Sequence, residues 1–248
     1  MKKIFSILVF LFFGLFTFGQ VNSLQLQGII DFDLVSAGYT GKAIHLKANS
    51  NISDLSNYGI GVANNGNGGD GQEYSFPSIS LQSGDHVLLA RDTVAMATYF
   101  DMCFAQFDHV LQATNAISQN GNDAIELYKD SIVIETFGDI NVDGTGTAWE
   151  YLDSWSYKDP SGSVTFSGYN WIFGGVECTI GSITTQTSSC PYPLCGSSSS
   201  VNNLKKIAFK IFPNPSKDYI NLNSGILIEK VKIYDALGKE VEDLIYEN

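Results

Sequence analysis

Short runs of alternating apolar and polar residues dominate the middle of the chain and predict β-strands. Successive side chains of a strand point to opposite faces, so a period of two marks a strand with one buried face. The runs recur at intervals of about 8 to 12 residues, a spacing typical of a β-sandwich. Eight runs are predicted as strands: residues 23–32, 42–48, 58–63, 73–79, 85–91, 109–114, 123–129 and 131–138.

Segments rich in glycine and asparagine separate these runs and predict turns. They read NNGNGGDG at 64–71 and QNGND at 119–123, and both residue types adopt positive φ at low cost. Residues 96–102, MATYFDM, predict a single helical turn. The pattern as a whole predicts an all-β fold of two packed antiparallel layers.

The two ends of the chain differ from this middle part. Residues 1–19 carry Lys2 and Lys3 before an apolar run and predict a secretory signal peptide. That run is too short for a membrane span of roughly 20 residues, so we expect an exported mature chain without a transmembrane span. At the other end, GSSSSVNN at 196–203 predicts a flexible linker, and 204–248 predict a second, smaller β segment.

The charge distribution excludes one class of partner. Residues 20–195 contain 5 Lys and Arg against 19 Asp and Glu, a net charge of −14, whereas 196–248 contain 7 of each. Binding to a nucleic-acid backbone needs Lys and Arg to replace its counterions. We therefore expect no nucleic-acid partner, and the acidic part suits solubility outside the cell or metal cations.

Four cysteines in an exported chain predict disulfides. Because Cys103, Cys178, Cys190 and Cys195 allow three pairings, the sequence leaves the connectivity open. Three of them lie within eighteen residues, so at least one bridge should close the segment 178–195. A zinc site is the alternative, but paired CxxC motifs and a nearby histidine are missing.

The middle of the chain, over residues 22–155, resembles the lamin-tail domain family. Three motifs carry the resemblance: a "DLS" turn, an "LxxGxxxL" strand start and a "GDxIxLY" hairpin, in which Asn122 here separates the glycine from the aspartate. Their residues are Asp54, Leu55 and Ser56; Leu81, Gly84 and Leu88; and Gly121, Asp123, Ile125, Leu127 and Tyr128. The resemblance implies an immunoglobulin-like β-sandwich over 20–195, with a cysteine-containing extension. Alternation in residues 123–138 agrees, because it predicts a half-buried hairpin with a turn at 129–131.

The end of the chain resembles the C-terminal sorting domains that direct Bacteroidetes proteins through type IX secretion. The "PNP" opening is matched at Phe212, Pro213, Asn214 and Pro215, and the "YDxxG" turn at Ile233, Tyr234, Asp235, Leu237 and Gly238. Family members usually continue through a second half, so 204–248 are interpreted as a partial sorting domain. The resemblance implies the type IX machinery as a partner, and a secreted or outer-membrane surface location. A periplasmic location would follow if the shortened domain fails.

The segment DINVDGTGTAWE, residues 139–150, fits the written pattern of a calcium loop. Oxygen ligands would come from Asp139, Asn141, Asp143, Thr145 and Glu150, with Gly144 at the sharp bend. The preceding residues alternate as a strand, which excludes the flanking helices of an EF-hand. A structural Ca²⁺ ion is one interpretation; a polar turn whose Asp and Asn side chains cap their own backbone is the other.

Aromatic residues follow this loop at strand spacing. Trp149, Tyr151, Trp155 and Tyr157 share one parity, and Tyr169 and Trp171 lie a little further on. On an exposed strand such a row would stack sugar rings, with Trp149, Tyr151 or Trp155 as the ligand-binding residues. The alternative is that the row forms the inward face of the sandwich, which is the commoner role of such a pattern.

Catalytic chemistry finds little support in the sequence. His45, His86 and His109 are scattered, HExxH and GxSxG motifs are missing, and His45 lies in an apolar strand where a structural role is expected. We therefore expect a non-enzymatic binding or structural module with an extracellular protein or glycan as partner. Two alternatives remain: a carbohydrate-binding module, and an accessory domain of a secreted hydrolase system.

Overall fold

The computed structural model describes residues 22–34 and 41–195 and, nearer the C-terminus, 209–212, 217, 221–224, 230–234 and 239–245. The predicted signal peptide and the predicted linker lie outside the described residues. The chain divides into two compact units, Met1–Gly196 and Ser197–Asn248.

Strands of the first unit form two sheets, which confirms the predicted all-β sandwich. The seven-stranded sheet contains β1 (Leu24–Asp31), β2 (Lys42–Ala48), β5 (His86–Ala90), β6 (His109–Gln112), β9 (Ser154–Lys158), β10 (Val164–Phe166) and β11 (Tyr169–Phe173). The four-stranded sheet contains β3 (Tyr58–Ala63), β4 (Tyr74–Ser75), β7 (Ala124–Lys129) and β8 (Ile132–Phe137).

The strand order is β10-β11-β9-β1-β2-β5-β6 in the larger sheet and β4-β3-β7-β8 in the smaller one. All described pairs of these sheets are antiparallel except β5 and β6, which run parallel. A parallel pair needs a crossover between its strands, and here it passes through helix α1 (Thr93–Phe100) and a 3₁₀ helix, Asp101–Gln106. The Asp92 carboxylate starts α1 by accepting the N–H groups of Val94 and Ala95.

The main core lies between the two sheets. Each sheet contributes alternate residues, so that Leu26 and Ile44 of the larger sheet belong to one cluster with Ile60 and Leu127 of the smaller sheet. Aromatic side chains close one end of this core, where the rings of Phe137 and Trp171 lie 4.7 Å apart. Burial of such apolar area is the dominant favourable contribution to folding.

A second core covers part of the opposite face of the larger sheet. Ile30 faces it, whereas its neighbour Ile29 faces the main core, as the alternation of a strand requires. Helix α1, the 3₁₀ helix and the segment 178–195 supply the covering side chains, which are Met96, Tyr99, Phe100, Cys103, Cys190, Tyr192 and Cys195. This third layer is an addition to the two layers that the sequence predicts.

Both disulfides lie in this covering layer. Cys103 pairs with Cys195 and Cys178 with Cys190, with Cα–Cα distances of 5.4 and 5.8 Å. The second bridge closes the predicted segment 178–195 internally, and the first ties its end to the 3₁₀ helix after α1. The disulfide interpretation of the cysteines therefore fits the structure, and the pairing is now specified.

The predicted hairpin is present with its turn. Strands β7 and β8 are joined by Asp130 and Ser131, whose φ angles of 50° and 64° are both positive, as a two-residue turn of type I′ requires. The predicted helical turn at 96–102 is instead a helix that begins earlier, at Thr93. Strands β9, β10 and β11 of the larger sheet lie outside the eight runs that the alternation predicts.

The second unit contains two strand pairs in its described part. Strand β12 (Phe209–Phe212) pairs with β13 (Asn221–Ser224), and β14 (Lys230–Tyr234) pairs with β15 (Glu240–Ile245), both antiparallel. The turn residues 213–216 and 235–238 lie outside the described residues. Across the described parts of both units, no helix is long and apolar enough to cross a membrane.

Candidate functional sites

The predicted ion loop connects β8 to β9 and is held by its own carboxylates. Asp139 accepts the N–H of Asn141, Asp143 accepts the N–H of Thr145, and both are Asx-type contacts of 2.9 Å. Glu150 accepts the N–H of Gly146 at 2.7 Å. The hydrogen bond from the backbone N–H of Thr145 is the largest cause that holds the pKa of the Asp143 carboxyl below its usual value.

A neutral amide donor contacts two of the predicted ligand residues of this loop. Nδ2 of Asn122 lies 2.9 Å from Oδ1 of Asp143 and 3.1 Å from Oγ1 of Thr145. Within the described ranges, no group of three or more His, Cys, Asp and Glu side chains is placed to hold a metal ion. The geometry favours the self-capped turn, and the Ca²⁺ interpretation of Asp139, Asn141, Asp143, Thr145 and Glu150 stays a prediction.

The predicted aromatic row is interrupted and buried. Trp149 and Tyr151 belong to the main core with exposed fractions of 7% and 0%, whereas Trp155 belongs to the second core with 6%. The row changes sides because β9 begins only at Ser154, after a bend at Asp153 with a φ of 46°. The prediction that these three rings form an exposed ligand-binding face is wrong, because they are packed in the two cores.

Two of the three scattered histidines meet in the structure. Strands β2 and β5 are neighbours, and Nε2 of His45 lies 2.7 Å from Nδ1 of His86. Nδ1 of His45 lies 2.9 Å from the hydroxyl of Tyr192. Gly28 makes room for that hydroxyl, because a Cβ at this position would collide with it. His109 lies apart from the pair and contacts the Asp85 carboxylate at 3.2 Å.

The chemistry of this histidine pair is restricted by burial. His45 is fully buried, and burial lowers its pKa well below the ordinary value. The pKa of His86 is lowered by its own burial and by the nearby Lys47 ammonium. Since both nitrogens of His45 have protein partners, its ring has no free nitrogen for a substrate. The expected structural role of His45 agrees with this geometry.

Two buried ion pairs were not anticipated from the sequence. Lys42 donates to Asp31 at 2.8 Å and to the carbonyl of Gln119, while burial raises the pKa of the Asp31 carboxyl to about 6. Lys158 donates to Glu135 at 2.5 Å. Both cations lie at strand positions beside apolar residues, which is the one sequence signal that could have marked them.

A polar groove lies where β1, β2, β9 and β11 come together. Its volume is about 570 Å³, and its lining is Gln25, Gln27, Lys47, Tyr157, Lys158, Asp159, Pro160, Gly168, Tyr169 and Asn170. The alternation in LQLQ at 24–27 marks the two glutamines as polar positions of a strand, but the pairing that brings them beside Tyr157 is not encoded locally. We call this the Gln25–Tyr169 groove.

Hydrogen bonds fix the amide side chains of the Gln25–Tyr169 groove. Gln25 donates to Gln27 at 3.0 Å, and Gln27 donates to the carbonyl of Lys158 at 2.9 Å. Asn170 donates to the carbonyl of Pro160 at 3.2 Å. The ammonium of Lys158 lies 3.7 Å from the centroid of the Tyr169 ring, a cation–π contact. The groove is thus built from side chains with defined positions.

Comparison with known proteins identifies the end of the chain. Residues 210–248 match the family described as the secretion system C-terminal sorting domain. No curated protein and no solved structure matches the chain. The sorting domain indicates export by type IX secretion, interaction with that machinery, and a secreted or outer-membrane surface location.

Proposed function

We propose that this chain is a non-enzymatic binding or structural module of lamin-tail type that works outside the cell or on its surface. The observation that carries the proposal is the sorting-domain match at 210–248, which indicates export by type IX secretion. The finer part, the lamin-tail type and the binding role, rests on the motifs and contacts of the first unit.

Local geometry at the motif residues supports the lamin-tail type. The Asp54 carboxylate accepts the N–H of Ser56 at 3.0 Å and caps the 3₁₀ turn Leu55–Asn57. Leu81 is buried and pairs with Ile52 in an isolated bridge. Gly84 has a φ of 100°, a conformation that favours glycine. Each residue of the first two motifs thus supports a turn or packs in a core.

The hairpin motif has similar support. Asp123 accepts the N–H groups of Asn65 at 2.7 Å and Asn120 at 3.0 Å, so it joins two loops. Gly121, with a φ of 93°, packs so closely on Leu152 that a Cβ would collide with it. These contacts give the motif a structural task at one end of the sandwich.

The non-enzymatic part rests on how the reactive groups are engaged. Efficient general acid–base catalysis needs a side chain within reach of substrate and with a pKa near the working pH. His45 is enclosed, and Asp31 and Glu135 are buried against Lys42 and Lys158. Such pairs are typical of structural roles, because an unpaired buried charge is costly.

The location is tested by secretion of the tagged chain with and without residues 204–248. We expect the full chain in the medium or on the outer-membrane surface, and the shortened chain in the periplasm. Equal distribution of the two chains would contradict the proposal. In a matched control, a flexible Gly/Ser tail of the same length replaces residues 204–248. This control keeps the chain length, so a difference from the full chain reports the loss of the sorting segment.

A further inference from the structure

We infer that the Gln25–Tyr169 groove binds a neutral polysaccharide chain, through tyrosine rings and fixed amide groups placed side by side at one end of the larger sheet. This inference deepens the proposed function and rests on it for access, because an exported chain meets extracellular polysaccharides. The site excludes Trp149, Tyr151 and Trp155, whose rings are buried, and shares only Tyr157 with the predicted aromatic row.

The dimensions of the groove suit a ligand of this kind. Its volume of about 570 Å³ falls within the range of about 300 to 1,000 Å³ found for small-molecule sites. Tyr157 and Tyr169 line it from two strands, β9 and β11. A tyrosine combines an apolar ring with a polar hydroxyl. This combination suits a sugar, because a sugar ring has apolar C–H faces and hydroxyls at its edge.

The position of Tyr157 is set by packing on its far side. Its ring lies edge-on to Tyr192 at 5.5 Å, and tilted to His45 at 6.0 Å. Burial raises the pKa of Tyr157, so its hydroxyl is neutral and can both donate and accept a hydrogen bond at physiological pH. A ligand would therefore meet a side chain that is already in place, which reduces the entropy cost of binding.

The amides supply further hydrogen-bonding capacity. A primary amide has two N–H donors and two acceptor lone pairs. The amide of Gln25 donates one hydrogen bond to Gln27, and its Oε1 accepts one from Nδ2 of Asn49 at 3.1 Å. Asn170 uses one donor on Pro160 and accepts from Thr165 at 2.8 Å. Each amide thus keeps one donor and one acceptor for sugar hydroxyls.

Charge selects a neutral ligand over an anionic one. The ammonium of Lys158 is neutralised by Glu135, and Lys47 and Asp159 contribute one charge of each sign to the lining. The surrounding unit has a net charge of −14 over residues 20–195, which repels a polyanion over distances up to about a Debye length, ~8 Å in physiological salt. Charge balance in an acidic protein therefore disfavours uronate-rich polysaccharides and nucleic acids.

The test is binding of the purified chain to soluble polysaccharides by affinity electrophoresis and calorimetry. The probes are neutral xylan, mannan, mixed-linkage glucan and glycogen, with alginate and pectate as anionic counterparts. We expect binding to at least one neutral probe and not to the anionic ones. The double variant Gln25→Ala/Tyr169→Ala should weaken that binding by about tenfold or more, the effect of losing about 1.4 kcal/mol.

The matched control is Gln72→Ala/Tyr74→Ala, which removes the same residue types from the edge of the smaller sheet. It should bind as the wild type does. Binding to no neutral probe, or equal binding by the groove variant and the wild type, would overturn the inference.

Thermal unfolding shows whether each variant is folded, and Asn170→Ala gives a second test if the double variant is not. The secretion experiment is independent: an exported chain that binds no polysaccharide refutes the groove inference alone.

Discussion

Nε2 of His45 and Nδ1 of His86 lie 2.7 Å apart, and this contact joins two strands whose residues are 41 positions apart in the sequence. His45 is enclosed in the second core, whereas His86 is partly exposed. Burial is the largest cause that lowers the pKa of each ring. The folded state therefore favours the neutral form of both histidines.

We expect the histidine pair to make folding sensitive to acid. Unfolded histidines take up protons near a pKa of about 6.5, whereas the folded pair binds them only at lower pH. The unfolded state thus holds more protons below about pH 6.5, so the free energy of unfolding falls as the pH falls through that window. Urea unfolding at about pH 7.5 and pH 5.5 measures this loss, and His86→Gln should reduce it.

Comparison of variants isolates the histidine contribution from that of buried acids. Asp31, with a pKa raised to about 6, titrates in the same range but is common to all chains in the comparison. His109→Gln is the comparison variant, because it removes a histidine that contacts Asp85 and not a ring of the pair in any described hydrogen bond, and it should change the loss less than His86→Gln does. A His86→Gln chain that loses as much stability as the wild type would show that the pair does not govern this response.

The two disulfides should contribute unequally to stability. Cys103–Cys195 closes a loop of 92 residues and Cys178–Cys190 one of 12. The loop-entropy estimate gives about 4.6 kcal/mol for the longer loop and about 2.8 kcal/mol for the shorter one. We expect the double variant Cys103→Ala/Cys195→Ala to lower the free energy of unfolding more than Cys178→Ala/Cys190→Ala does. Urea unfolding of both chains checks this order, and the reverse order would contradict it.

Alternation along the chain is enough to predict the strands of the smaller sheet. In β7, Ile125 and Leu127 are buried, and the turn at Asp130 and Ser131 follows directly. Both signals are local, since strand period and turn chemistry are fixed within a few neighbouring residues. The strands described in the sorting segment are predictable for the same reason, because apolar and polar residues alternate along them.

Contacts between distant segments could not be predicted in this way. The second core needs α1 to meet Cys195 and Tyr192, and the histidine pair needs β2 to lie beside β5. Periodicity gives the face of each residue but not the neighbour of each strand. The Gln25–Tyr169 groove depends on four strands from distant parts of the sequence, so only its individual polar positions were visible in advance.

The loop 139–150 allows a direct test between its two interpretations. Because its carboxylates already cap backbone N–H groups, we expect the melting temperature of the chelator-treated chain to stay the same when calcium is added. Asp143→Ala should lower the melting temperature by a similar small amount with calcium and with chelator, since it removes the contacts to Thr145 and Asn122. Differential scanning calorimetry of both chains provides the measurement.

Calcium binding would produce a different result in the same experiment. An ion that binds only the folded state raises the melting temperature, by an amount that increases with the logarithm of the ion concentration once this exceeds the Kd. That rise should then disappear in Asp139→Ala and in Glu150→Ala. A calcium-dependent rise in the wild type that these variants lack would establish the metal site and contradict the self-capped turn.

Substitution of Trp155 distinguishes a structural role of the aromatic row from a ligand-binding role. Its Nε1 donates to the carbonyl of Cys190 at 2.8 Å, and its ring lies edge-on to Tyr192 at 5.9 Å. We expect Trp155→Ala to lower the free energy of unfolding by about 3 to 5 kcal/mol, the usual cost of truncating a buried tryptophan. Trp155→Phe keeps a ring in the core but leaves that carbonyl without its donor, at a cost of about 1 to 3 kcal/mol. The Trp155 ring lies outside the Gln25–Tyr169 groove, so we expect folded Trp155→Phe to bind polysaccharide as the wild type does. Weaker binding at unchanged stability would instead indicate that the aromatic row forms the ligand site.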